Sequence, residues 1–99
     1  MKSITAVFNI AIEEEVLETI QRVGVKHFTQ WPRIVGQGPV TGPRMDSHIW
    51  PGANSALEMI VEDAQAKPLM DALQELRESP LGRQAGIFAY QTAVERALH

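Results

Sequence analysis

Twice in this chain a strand-like run leads directly into an amphipathic helical stripe, and that doubled pattern leaves few folds open. The first run is Ile4-Thr5-Ala6-Val7-Phe8-Asn9-Ile10, dominated by β-branched and aromatic residues at strand length. Ile12, Val16, Leu17, Ile20 and Val23 follow at helical spacing. Glu13, Glu14 and Glu15 occupy the first turn, where acids complement the helix dipole, and Gly24 marks the stop. The second copy begins with a strand from Ser55 to Glu62. Leu57, Met59 and Val61 face one way, and Glu58 and Glu62 the other. Asp63 is suited to cap the next helix, whose stripe is Leu69, Met70, Leu73 and Leu76. Pro68 is awkward inside that helix and moves its expected start a few residues downstream. Ser79-Pro80-Leu81-Gly82 ends it.

Two further strands complete the pattern. Val25 to Val35 reads as extended, with Pro32 implying an edge or a bulge. Ile87 to Val94 is the last strand. The order β-α-β-β-α-β interlocks two split crossovers in one antiparallel sheet, the ferredoxin-like α+β arrangement, as a single domain over residues 1–99. Right-handed crossovers put both helices on one face. The other face is then bare in a monomer, and we expect another subunit to cover it. With 99 residues, 44% of them hydrophobic, the chain can build one small core and gains from oligomerisation.

Composition excludes several functions. A formal charge of -3 argues against a nucleic-acid or anionic-membrane binder. The absence of cysteine excludes disulfides, thiolate metal sites and thiol catalysis. There is no signal-peptide pattern and no apolar run near the ~20 residues of a membrane span, so a cytoplasmic location is expected. No Gly-x-Ser-x-Gly elbow, Walker sequence or dinucleotide fingerprint is present, and no acid–base pair can be assigned, so the chain is not expected to be an enzyme.

The functional side chains concentrate in a Gly- and Pro-rich loop, Thr41-Gly42-Pro43-Arg44-Met45-Asp46-Ser47-His48-Ile49-Trp50-Pro51-Gly52-Ala53-Asn54. A connector needs turn formers; it does not need an Asp-x-His or a Trp-Pro-Gly. Asp46 and His48 point the same way in an extended segment and can share a divalent cation, with His27, Met45 or a second subunit supplying a further ligand. The other reading of His48 is packing against Trp50. Trp50 is the expected anchor of the loop root, and Trp31-Pro32 pairs with Trp50-Pro51 as an aromatic set for a subunit interface or a ligand ring. Arg33, Arg44 and Arg83 can recognise an anion, and Gly36-Gln37-Gly38 can let backbone N–H groups approach it; surface ion pairing is the plainer alternative for each arginine.

The pattern of Ile4 to Glu15, the Gly36-Gln37-Gly38 exit from the second strand, the loop Gly42 to Gly52 and the closing Gly86-Ile87-Phe88-Ala89-Tyr90-Gln91-Thr92-Ala93-Val94-Glu95-Arg96-Ala97 together resemble the PII-like signalling superfamily, in a short-loop form. The resemblance implies a compact homotrimer that binds a small ligand, such as an adenine nucleotide, at clefts between subunits. It places Gln37, at the loop base, and Arg83, after the second helix, at that site; Gly36, Gly38 and Arg44 join them as the anion-recognition candidates above. The implied role is a non-enzymatic regulator that signals to a partner, a membrane transporter or another regulated protein, through the 36–54 loop. The chain departs from the family pattern in two respects. Its one tyrosine, Tyr90, falls in the last strand rather than in the loop, and the basic C-terminal strand end is reduced to Arg96. The architecture is also similar to CutA-like proteins, which implies the alternative of a divalent-metal-binding or metal-tolerance protein using Asp46 and His48.

Overall fold

The computed structural model describes residues 1–38, 42–45 and 52–98. Strand β1 (Lys2–Asn9) leads through a 3-10 turn (Ile10–Ile12) into helix α1 (Glu13–Arg22). Asn9 caps the turn by accepting from the Ala11 N–H at 2.9 Å, so the chain turns sharply at the end of β1. Gly24, at φ 91°, takes the chain out of the helix in a conformation that costs glycine little.

Strand β2 (Thr29–Ile34) is followed by a small hairpin, β3 (Gly36–Gly38) and β4 (Gly42–Arg44). Then come β5 (Asn54–Val61), α2 (Asp63–Glu78), the short α3 (Pro80–Ala85) and β6 (Ile87–Ala93). The main sheet runs β2-β5-β1-β6, antiparallel at each pairing, with Ala6 opposite both Leu57 and Ala89. This is the expected split arrangement, with a separate two-stranded β3–β4 ribbon added to it.

Alternation divides the sheet. Ile4, Ala6 and Phe8 of β1 and Leu57, Met59 and Val61 of β5 pack against Val16 and Ile20 of α1 and Leu69 and Leu73 of α2. Ser55 is buried on the same face and is satisfied by Gln30 Nε2 at 3.1 Å; Gln30 also donates to Glu13 at the start of α1. That bridge fastens the edge strand to the helix layer. On the opposite face Val7 lies across from Ala56 and Phe88, and Trp31 across from Ala56. Trp31, Ile60, Phe88 and Tyr90 are open to solvent there; Phe88 is 64% exposed.

Four sequence expectations need correcting. Val25 to Phe28 is not strand: Val25 is buried as the chain leaves α1, and pairing starts only at Thr29. His27 therefore precedes the second strand instead of lying on it. Pro68 lies inside α2, which starts at Asp63; the buried stripe Ala66, Leu69, Ala72 and Leu73 outweighs one missing N–H. The N-cap is Glu62, and Asp63 is the first helical residue. The Met1 ammonium, 3.0 Å away, holds the Asp63 carboxyl below its ordinary range by hydrogen bond and charge, with Lys2 adding to it. Finally, Ser79-Pro80-Leu81-Gly82 does end α2, but it also opens α3: Ser79 Oγ accepts from the Gly82 N–H at 3.1 Å and Pro80 takes the first helical position. Pro32 does mark an edge and a bulge, since β2 is an edge strand whose register shifts between Trp31 and Ile34, with Arg33 at φ 53°.

Candidate functional site

An open cleft of about 850 Å³ lies where the hairpin, the start of β5 and the α2–α3–β6 corner meet. The hairpin contributes Gly36, Gln37, Gly38 and Arg44, and the short helix contributes Arg83. Five of the six positions singled out for anion recognition thus line one cleft within a single chain, although Arg83 is 39 residues beyond Arg44 in sequence; Arg33 is the exception. Tight folding of the corner is the cause. α3 turns back over the end of α2 and presents Gly82 and Arg83 towards the hairpin.

The three arginines of the cleft differ in what holds them. Arg44 is fixed twice: one terminal nitrogen donates to Asn54 Oδ1 at 3.1 Å, the other to the Ala85 carbonyl at 2.5 Å. Arg77 Nε donates to the Ile87 carbonyl at 3.2 Å. The Arg83 guanidinium has no hydrogen-bond or ion-pair partner among the described residues, and its side chain is exposed. Arg33, the remaining arginine of the sequence set, has an interaction of its own and is not among the residues lining the cleft.

Asn54, Arg77, Glu78 and Phe88 also line the cleft; the sequence includes Asn54 as the end of the loop but gives none of the four a role. Each sits in an element whose pattern is fully explained by the core, so local sequence gives no signal for it. The apolar wall is Val7, Phe8, Ile34, Val35, Ile87 and Phe88. Cations and apolar side chains lining one cleft suit an amphiphilic anion, a flat or apolar group bearing a negatively charged one. Val7 and Phe88 are cross-strand partners on the bare sheet face, so the cleft wall and that face are continuous.

Asp46, His48 and Trp50, the expected metal pair and loop anchor, lie outside the described residues. Among the described residues no three acids or histidines converge as a metal site. No helix there is long and apolar enough to cross a membrane.

A four-stranded split sheet with both long helices on one face makes this a ferredoxin-like domain, with a hairpin-walled cleft at its end. The chain belongs to the nitrogen regulatory protein P-II family, whose model matches residues 1–97. Among solved structures it is similar to CPII, a nitrogen regulatory PII-like protein from Thiomonas intermedia K12, described bound to ADP, AMP and bicarbonate. The TM-score is 0.69 at 21% identity, covering 96% of this chain and 88% of that one. The apo form of the same protein matches with a TM-score of 0.64 at 19% identity, covering 97% and 92%. A chain from Thermus thermophilus described as a PII-like signalling protein matches with a TM-score of 0.60 at 26% identity, covering 92% and 83%. No curated protein matches the chain.

Proposed function

We propose that this protein is a non-enzymatic PII-like regulator that binds an adenine nucleotide in the cleft and signals through the 36–54 loop to a partner protein, such as a membrane transporter. The observation that carries the reading is the convergence of Gly36, Gln37, Gly38, Arg44 and Arg83 on one cleft that is also lined by apolar side chains. Purine and phosphate need opposite surroundings, and the cleft offers both. Two ligands of the Thiomonas relative, ADP and AMP, are of this chemical kind, and its third, bicarbonate, is a small anion. Arg83 and the hairpin glycines bind the phosphate, and apolar side chains such as Phe88 pack against the base. The working form is a homotrimer: Trp31, Ile60, Phe88 and Tyr90 are a bare sheet face of the kind that subunit contact covers. The site is completed at that contact, and the protein acts in the cytoplasm.

The metal-tolerance alternative draws no support from the family, the relatives or the described residues. Calorimetric titration with ATP, ADP, AMP, bicarbonate, copper, zinc and nickel tests the proposal. Saturable nucleotide binding, weakened in Arg83→Gln, is the expected result. Tight metal binding that disappears in His48→Ala, with no nucleotide binding, would sink it.

A further inference from the structure

Arg44 is the last residue of β4 and reaches across the cleft to two elements distant in sequence. Its acceptors, the Asn54 side-chain amide and the Ala85 carbonyl, are both neutral. Asn54 opens β5, and Ala85 closes α3 immediately before Gly86, which sits at φ 86°. A single guanidinium therefore ties the hairpin to the start of β5 and to the end of the helix that carries Arg83. The stem of Arg44 runs beside Gly52, at φ 94°, where an added Cβ would sit 3.8 Å from Arg44 Cγ and Cδ.

Hydrogen bonds from a guanidinium to an anion are stronger than those to neutral acceptors. An anion in this cleft offers Arg44 a better partner than either one it holds. Arg83, with no partner to release, has no such choice to make. We infer that Arg44 is an exchangeable strap: in the unliganded chain it clasps Asn54 and Ala85, and an anion in the cleft draws it away, so that occupancy of the cleft releases the hairpin from the body. This rests on the proposed function for the ligand, and adds the residue through which that ligand moves the loop. The ligand shifts the hairpin because it binds the unstrapped state better, which is the thermodynamic requirement for any such change. Breaking the strap also costs affinity, because the competent state is the less populated one.

The cost gives the test. Changing Asn54 to Ala removes one acceptor and leaves Arg44 in place, so ADP should bind roughly fivefold more tightly, the equivalent of one neutral hydrogen bond. Asn54→Asp supplies a charged acceptor in nearly the same shape. It should protect the backbone amides of residues 36–38, 42, 44 and 45 from hydrogen exchange in the ligand-free protein and weaken ADP binding. Arg44→Gln should raise ligand-free exchange in those residues and abolish the further change on adding ADP. Arg83→Gln should weaken ADP binding while leaving ligand-free exchange as in the wild type. Weaker ADP binding in Asn54→Ala overturns the strap, as does ADP binding to the wild type with no exchange change at 36–45. Should ADP and AMP not bind at all, the nucleotide reading fails separately. Pyrophosphate then serves as the cleft anion: faster exchange at 36–45 in the wild type and not in Arg44→Gln upholds the strap, and no response overturns it.

Discussion

A Cβ atom on Gly82 would fall 1.9 Å from the Leu76 carbonyl oxygen and 2.9 Å from Arg77 Cα. Both neighbours are backbone, so neither can swing aside. This close approach lets α3 fold back on the end of α2 and bring Arg83 to the cleft. Gly82→Ala should cost about 3 kcal/mol, at the upper end of overpacking effects, and should weaken nucleotide binding further than the stability loss explains. Thermal denaturation and titration with ADP measure the two; an unchanged melting temperature would contradict the geometry.

Pro68 lies on the exposed side of α2 and leaves the carbonyl four residues earlier, at Ala64, without its helical N–H. Its side chain contributes nothing to the buried stripe. Replacing it with alanine restores the bond and should add about 1 kcal/mol, after allowance for the freer unfolded chain. For a domain of this size that corresponds to a rise of about 4–8 °C in melting temperature.

Arg83 is the cleft cation with no competing partner among the described residues. Arg83→Gln keeps hydrogen-bonding capacity and removes charge. A lost charge-assisted bond of about 1.5–3 kcal/mol predicts a drop in ADP affinity of roughly tenfold to a hundredfold, read by calorimetry. An unchanged dissociation constant would move the anion to another end of the cleft.

The bare face of the sheet sets the fourth expectation. Sedimentation equilibrium at micromolar concentration should give about three chain masses. Phe88→Asp puts a charge on the bare face of the sheet beside Val7 and Tyr90, and should lower the sedimenting mass. A wild-type protein that sediments as a stable monomer would remove the reason for a shared site.

Where burial imposes a period, the sequence reads well. Ile4, Ala6 and Phe8, and Leu57, Met59 and Val61, alternate because one face is core, and α1 is bounded by its acids and Gly24. Val25 to Phe28 misleads because Val25, strand-prone and buried, serves the exit from a helix, while Lys26, His27 and Phe28 are exposed. α3 stays hidden because Ser, Pro and Gly signal a turn and a helix start equally well; only the Ser79–Gly82 bond separates the two. The cleft is legible on its hairpin side, where Gly36-Gln37-Gly38 and Arg44 have no core duty to explain them. Asn54, Arg77 and Phe88 carry the periodicity of their elements, and nothing local distinguishes them from any other exposed strand or helix residue.

Val7 and Phe88 face each other across β1 and β6, on the bare sheet face, and both border the cleft. One pair of side chains is thus shared property of two surfaces. A substitution that improves the fit of one is felt at once by the other, so the two are free to vary only together. Selection on what the cleft holds is also selection on what the sheet meets.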